Sequence, residues 1–210
     1  MNILCIAAHF DDAEIGCGGS LAKWAQQGHK VNIMVFTESG YSDENGKHVR
    51  ESKSAVDEGK AAAAVLGATL YESHSRFPVF GLANTDEVRR DILKAIKKLD
   101  IDTVLCHWTG DVHSDHSELG RAALMSARHL PRLLMYRCNY YDSADTFNPR
   151  FYVDISDTLD LKINAIREYH SEFSRAGSLW LEYLESAHRI DGMKAGVKYA
   201  ESYDVVRYLL

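Results

Sequence analysis

A chain of 210 residues, 46 % of them hydrophobic, has enough apolar side chains for one core of ordinary size, and no Pro-, Gly- or Ser-rich tract divides it. Its 30 acidic and 24 basic residues leave a net charge of -6 and a pI near 5.9, which excludes nucleic-acid backbones and anionic membranes as partners in the absence of a basic stripe. No transmembrane run is present, the opening apolar stretch lacks a basic leader, and the four cysteines form no CxxC pair, so the expectation is a reduced, cytoplasmic protein without disulfides or a thiolate zinc site.

In chain order, apolar runs of strand length cover residues 2–8, 30–37, 68–72, 102–107 and 133–137. Helical periodicity fills the gaps at 19–27, 51–66, 85–99 and 116–129. In the third helix Val88, Ile92, Ala95, Ile96 and Leu99 form one face, and Gly28 and Gly67 stand where helix C-termini are expected. A strand over 151–155, a helix opened by Ser156 as N-cap and reaching Tyr169, and a helix over 176–188 complete the prediction. Alternation of this kind builds βαβ units, so the expected class is α/β: a single domain over residues 1–210, Rossmann-like, with a mostly parallel sheet flanked by helices.

In such a sheet, ligands bind beyond the carboxyl ends of the strands, and the polar clusters of this chain all fall there. His9-Phe10-Asp11-Asp12-Ala13-Glu14 follows the first strand, a polar loop over 38–50 the second, His74 and Arg76 the third, and Trp108 to His116 the fourth. Charges crowded at the end of a buried strand call for a compensating cation or substrate. His9 and Asp12, three residues apart on a turn, with His116 from across the sheet, make a two-His, one-Asp set for one divalent ion. Zinc is the leading choice, and Fe2+ or Co2+ also suits these donors.

Asp11, left free beside a ligand, is placed as a general base; the alternative is a cap for the following helix. His113 can face the same cavity and stabilise an oxyanion, with Asp115 holding its second nitrogen and raising its pKa. Asp115 reads equally as the N-terminal carboxylate favoured by a helix dipole. Arg76 and Asp111 are candidates for lining a substrate pocket, together with His74, Trp108 and the aromatic run over 136–141. Gly16-Cys17-Gly18-Gly19 does not fit a dinucleotide loop, and its glycines are read as permitting close helix packing.

Residues Ala8 to Gly19 (AHFDDAEIGCGG) resemble the AHPDDAE(I/L)GCGG signature of the PIG-L/LmbE family of zinc-dependent N-acetylglucosamine deacetylases, and His113-Ser114-Asp115-His116 is similar to that family's HPDH element. The stretch from Arg50-Glu51 to Leu66-Gly67 and the segment Tyr199-Ala200-Glu201-Ser202-Tyr203 resemble two further family elements. The resemblance implies a metal-dependent hydrolase that removes an N-acetyl group from a small-molecule amino sugar. It implies zinc on His9, Asp12 and His116, Asp11 as base and then acid, His113 polarising the tetrahedral intermediate, and Arg50 touching substrate. Phe10 and Ser114 stand where the family usually has proline, which bears on turn geometry and substrate fit rather than on metal ligands. A related amidase acting on a thiol conjugate of mercapturic type and a non-catalytic sugar-binding protein are the alternatives. The identity of the sugar stays open, as does assembly into a homo-oligomer.

Overall fold

The structure is a computed structural model that describes the backbone of residues 1–210 and every side chain except those of His74, Ser75 and Ala176. One pocket candidate is thereby set aside, since the side chain of His74 lies outside the described residues. Five parallel strands form the frame: β1 (Asn2–Ala7), β2 (Lys30–Thr37), β5 (Thr69–Phe77), β6 (Thr103–His107) and β7 (Arg132–Tyr136). Two antiparallel strands, β9 (Ala200–Tyr208) and β8 (Phe151–Asp154), extend it, giving the order β5-β2-β1-β6-β7-β9-β8. Helices α1 (Asp12–Gln26), α2 (Ser52–Val65), α3 (Asp86–Lys98), α4 (Ser114–Ser126), α5 (Leu159–Arg167) and α6 (His170–Ala195) surround the sheet, and β3 (Tyr41–Ser42) pairs with β4 (His48–Arg50) as a small hairpin.

The opening run is apolar at every position because β1 is buried on both faces. Ile3, Cys5 and Ala7 point into one core with Leu21 of α1, Ala62 of α2 and Ile166 of α5; Leu4, Ile6 and Ala8 point into the other with Ile92 of α3 and Ala122 of α4. After β1 the chain adds β2 and β5 on one side, then returns to place β6 and β7 on the other. The strand order thus reverses between β1 and β6, and the crevice at their carboxyl ends is where such sheets bind ligands.

The mostly parallel, helix-flanked sheet agrees with the expected class, and Gly28 and Gly67 follow their helices at φ 81° and 69°, the left-handed conformation of C-terminal glycines. Several boundaries differ. α1 begins at Asp12 rather than residue 19, because its first turn is charged and a kink at Cys17 (φ -148°, ψ 16°) interrupts it before the apolar periodicity starts. α5 starts at Leu159 after Thr158; Ser156 instead donates its amide and hydroxyl to Asp154. α6 runs for 26 residues, far beyond the expected 176–188. β9 escapes prediction because its sequence, AESYDVVRY, has neither a continuous apolar run nor a regular period-two alternation, and the loop after β2 contains the β3–β4 hairpin. No helix among the described residues is long and apolar enough to cross a membrane.

Candidate active site

The first strand ends by handing its last carbonyl to its neighbour: Ala8 O accepts from the amide and the hydroxyl of Thr37 at 2.9 and 2.8 Å. The chain then turns through Asp11 at φ 122°, ψ -27°, a conformation that L-residues rarely adopt, and enters α1 at Asp12. The turn is pinned from several sides. Phe10 N–H donates to Ser39 Oγ (2.9 Å), Arg50 Nη1 donates to Phe10 O (3.0 Å), and Ile15 N–H donates to Asp11 O (2.9 Å). Across the crevice, β6 ends at His107, and His113 caps α4 by accepting the Asp115 amide on its Nδ1 at 3.2 Å.

These two turns bring three donors to one point. His9 Nδ1 lies 3.2 Å from Asp12 Oδ2 and 3.2 Å from His116 Nε2, and His116 Nε2 lies 3.2 Å from Asp12 Oδ1. Separations of about 3.3 Å are what a tetrahedral ion imposes on donors at about 2.0 Å. The outer nitrogens are also matched: His9 Nε2 meets Asp115 Oδ2 at 3.0 Å, and His116 Nδ1 meets Asp111 Oδ2 at 3.1 Å. Carboxylates on the far side of ligand imidazoles fix tautomer and orientation, as in zinc centres.

Other donors gather close by. Asp12, His107, His116 and Cys138 bring ligand atoms within 4.8 Å of one another, as do His9, His113 and His116. The first group fits a cation less well. His107 Nε2 already accepts the Ala8 amide (3.0 Å), so that lone pair is engaged. His107 instead stacks on His116, with ring centroids 4.1 Å apart and planes 10° apart, and stands 3.2 Å from Asp12. Sequence reasoning missed His107 because it closes an apolar strand; its place at the carboxyl end of the strand beyond the switch point was the available signal.

Without a cation, the charges settle as burial and proximity dictate. Burial opposes the Asp12 carboxylate, yet the His116, His107 and His9 imidazoles hold its pKa well below the usual range. Burial likewise opposes the His9 imidazolium, and Asp12 with the Asp115 hydrogen bond overcomes it, raising the pKa to about 9. Asp11 has the reverse balance: burial and the Asp12 charge push its carboxyl well above the usual range, with Arg50 Nη1, 3.7 Å away, opposing them in part. Glu14, buried behind the turn near Tyr169, is raised to about 7 by burial.

A cleft of about 590 Å3 opens onto this cluster, walled by His9, Asp11, Asp12, Arg50, His113 and His116 near the donors and by Tyr41, Phe80, Glu172 and Arg175 farther out. A smaller recess of about 120 Å3 shares Asp11, Asp12 and His116 and continues to Ile15, Cys138 and Leu184. Arg50, buried, lines the cleft with its Nε unpartnered.

Three expectations need correction. Asp115 does not hold the second nitrogen of His113: its oxygens accept from His9, Phe80 N–H (2.7 Å) and Leu82 N–H (3.0 Å). His113 is accordingly lowered in pKa by burial and the neighbouring His116 and His9, not raised. Asp111 and Arg76 do not line the cleft. The Asp111 carboxylate is taken up by His116 and by Asn139 Nδ2 (2.7 Å), and the Arg76 guanidinium lies 5.4 Å over the Phe10 ring. Asp11 occupies the N-cap position of α1 but makes no side-chain capping bond, leaving its carboxyl to the cleft.

The chain has counterparts among known proteins. The diacetylchitobiose deacetylase of Thermococcus kodakarensis is 27 % identical over 217 residues, covering 95 % of this chain and 81 % of the relative. Among solved structures, the conserved protein TT1542 from Thermus thermophilus superposes with a TM-score of 0.80 at 27 % identity, covering 100 % of this chain and 96 % of that one. The N,N'-diacetylchitobiose deacetylase from Pyrococcus horikoshii, complexed with its inhibitor MPG, gives 0.80 at 25 % identity, covering 98 % and 83 %. Residues 4–127, more than half of the chain and including every donor of the His9, Asp12 and His116 triangle, match the model of the family described as PIG-L, GlcNAc-PI de-N-acetylase. The chain belongs to that family.

Proposed function

We propose that this chain is a zinc-dependent hydrolase that removes the N-acetyl group from an amino sugar of the N-acetylglucosamine class. The observation that carries this reading is the triangle of His9, Asp12 and His116 at 3.2 Å separations, backed by Asp115 and Asp111 and bordered by the Asp11 carboxyl. The names of the relatives support a sugar amide over a thiol conjugate. When bound by these three residues, zinc would supply Lewis acidity toward the amide carbonyl and lower the pKa of water.

Asp11 takes a proton from the attacking water and returns one to the departing amine, so amide and water become acetate and free amine. Burial and the Asp12 charge raise its pKa, which favours holding the proton taken from water until the amine departs. His113 accepts the Asp115 amide on Nδ1, so the neutral ring carries its proton on Nε2 and donates that hydrogen to the developing oxyanion. Arg50, whose Nη1 lies 3.7 Å from Asp11 at the cleft wall, places a positive charge beside the base and the substrate's polar groups. The recess beside Ile15 and Leu184 suits the acetyl methyl, and the larger cleft suits the sugar.

Acetate release from a panel of N-acetyl amino sugars, set against amides of mercapturic type, tests this reading. Zinc-loaded protein is expected to cleave the sugars, to stop on addition of a chelator and to recover with zinc. Exclusive cleavage of thiol conjugates would replace the sugar reading, and sugar binding without any acetate release would make the chain a non-catalytic binder.

A further inference from the structure

The loop after β5 carries a residue that its backbone disfavours. Gly81 N–H donates to Pro78 O at 2.9 Å, closing a turn whose third residue, Phe80, sits at φ 64°. Turns with positive φ at that position ordinarily hold glycine or asparagine, because a Cβ is strained there. Phe80 is nevertheless 74 % exposed, so its ring does not compensate by filling a core. One of its faces is stacked on the His113 ring, with centroids 4.8 Å apart and planes 9° apart. Its amide is tied to Asp115, which orients His9, and its side chain lines the cleft. Strain retained without a packing return, beside a catalytic imidazole, marks a functional constraint.

We propose that Phe80 is a stacking platform for a ring attached to the amino sugar, either a second pyranose or an aryl group, whose apolar face lies on the open face of Phe80. This rests on the sugar-amide reading above and adds to it a specificity-determining residue, Phe80, for the group attached to the sugar. His113 acts on the amide, and Phe80 extends its plane outward by one stacking distance, toward substituents next to the reacting group. The hydrogen bonds that Asp115 accepts from Phe80 N–H and His9 Nε2 hold the platform in register with His9.

The test compares the phenyl and methyl β-glycosides of N-acetylglucosamine in wild type, Phe80→Tyr and Phe80→Leu. The readout is the ratio of kcat/KM between the two glycosides, which cancels any common effect on His113. Wild type and Phe80→Tyr are expected to favour the phenyl glycoside, and Phe80→Leu to lower the ratio about three- to tenfold, the range of an aromatic contact. An unchanged ratio in Phe80→Leu overturns the proposal. If wild type hydrolyses neither glycoside, the sugar-amide reading falls, and calorimetric titration of both glycosides into wild type and Phe80→Leu decides on Phe80. Tighter binding of the phenyl glycoside that Phe80→Leu abolishes sustains the platform; equal affinities, or no binding, overturn it.

Discussion

Asp11, proposed above as the general base, holds a backbone conformation that L-residues rarely adopt. Its φ of 122° costs on the order of 1–3 kcal/mol, held in place by the bonds that Ser39 and Arg50 make to Phe10. Asp11→Gly is therefore expected to raise the melting temperature by several degrees while abolishing acetate release, and Asp11→Asn to lose at least about 100-fold in kcat with its melting temperature little changed. A less stable glycine variant would refute the strain, and an active asparagine variant would refute the base. The two departures from proline behave differently. Ser114 opens α4 behind His113 at φ -75°, ψ 121°, the extended conformation that precedes proline, so Ser114→Pro should stabilise by about 0.4–1 kcal/mol in urea unfolding. Phe10→Pro should destabilise, because it removes the amide that Ser39 accepts and a ring that fits where Gly59 lacks a Cβ; a Cβ on Gly59 would lie 2.3 Å from Phe10. The grouping of His9, Asp12 and His116 was legible in the sequence, since ligand types recur at two strand ends. The partners of their outer nitrogens were not, because which imidazole Asp115 or Asp111 meets depends on loop paths rather than on spacing.

At the scale of elements, the kink in α1 is the clearest case of structure hidden from periodicity. The break at Cys17 frees backbone groups that distant side chains then satisfy. Lys162 Nζ donates to Ile15 O (2.7 Å), Thr158 Oγ1 donates to Gly19 O (2.8 Å), and Glu201 accepts from the Gly19 and Ser20 amides at 2.9 and 2.7 Å. Lys162 and Glu201 also pair at 2.6 Å, both fully enclosed, so Lys162→Met should cost about 3–5 kcal/mol by leaving a buried carboxylate uncompensated. A loss under about 1 kcal/mol in denaturant unfolding would refute that role. Burial opposes the Glu201 carboxylate, but Lys162 and His188 outweigh it and lower its pKa beneath the ordinary 4.5. Its contribution is thus complete above that value and is lost as pH falls through the lower native value, so stability should decline on acidification below about pH 4.5. α3 was legible almost to the residue, expected at 85–99 and found at Asp86–Lys98, because its apolar face is unbroken and Thr85 caps it. β9 was not, since it lacks a repeating face and its buried Glu201 answers to the kink in α1.

For the whole molecule, alternation of strand and helix located the crevice between β1 and β6, whereas β9, and the antiparallel pairing of the β8 strand expected over 151–155, had to be seen. The crevice concentrates proton binding as well as metal donors. His9, at about 9, must lose its proton to bind a cation, so zinc affinity should rise with pH up to about that value. Competition with a chromophoric chelator at about pH 6.5 and about pH 8.5 measures this, and a pH-independent affinity would contradict it. Chelation should also lower the melting temperature in proportion to the zinc bound, since the ion favours the assembled triangle. The brace beneath α1 joins Gly19 to Glu201, 182 positions later, and the strand that carries Glu201 lies inside the sheet between β7 and β8. On the ribosome, the ligand-bearing turn emerges early, yet its supporting helix cannot close its backbone bonds until β9 has been synthesised and inserted. Contacts of such long range slow folding, so the barrier to the native state falls late in chain growth, and the donor triangle is fully braced only once β9 is in place.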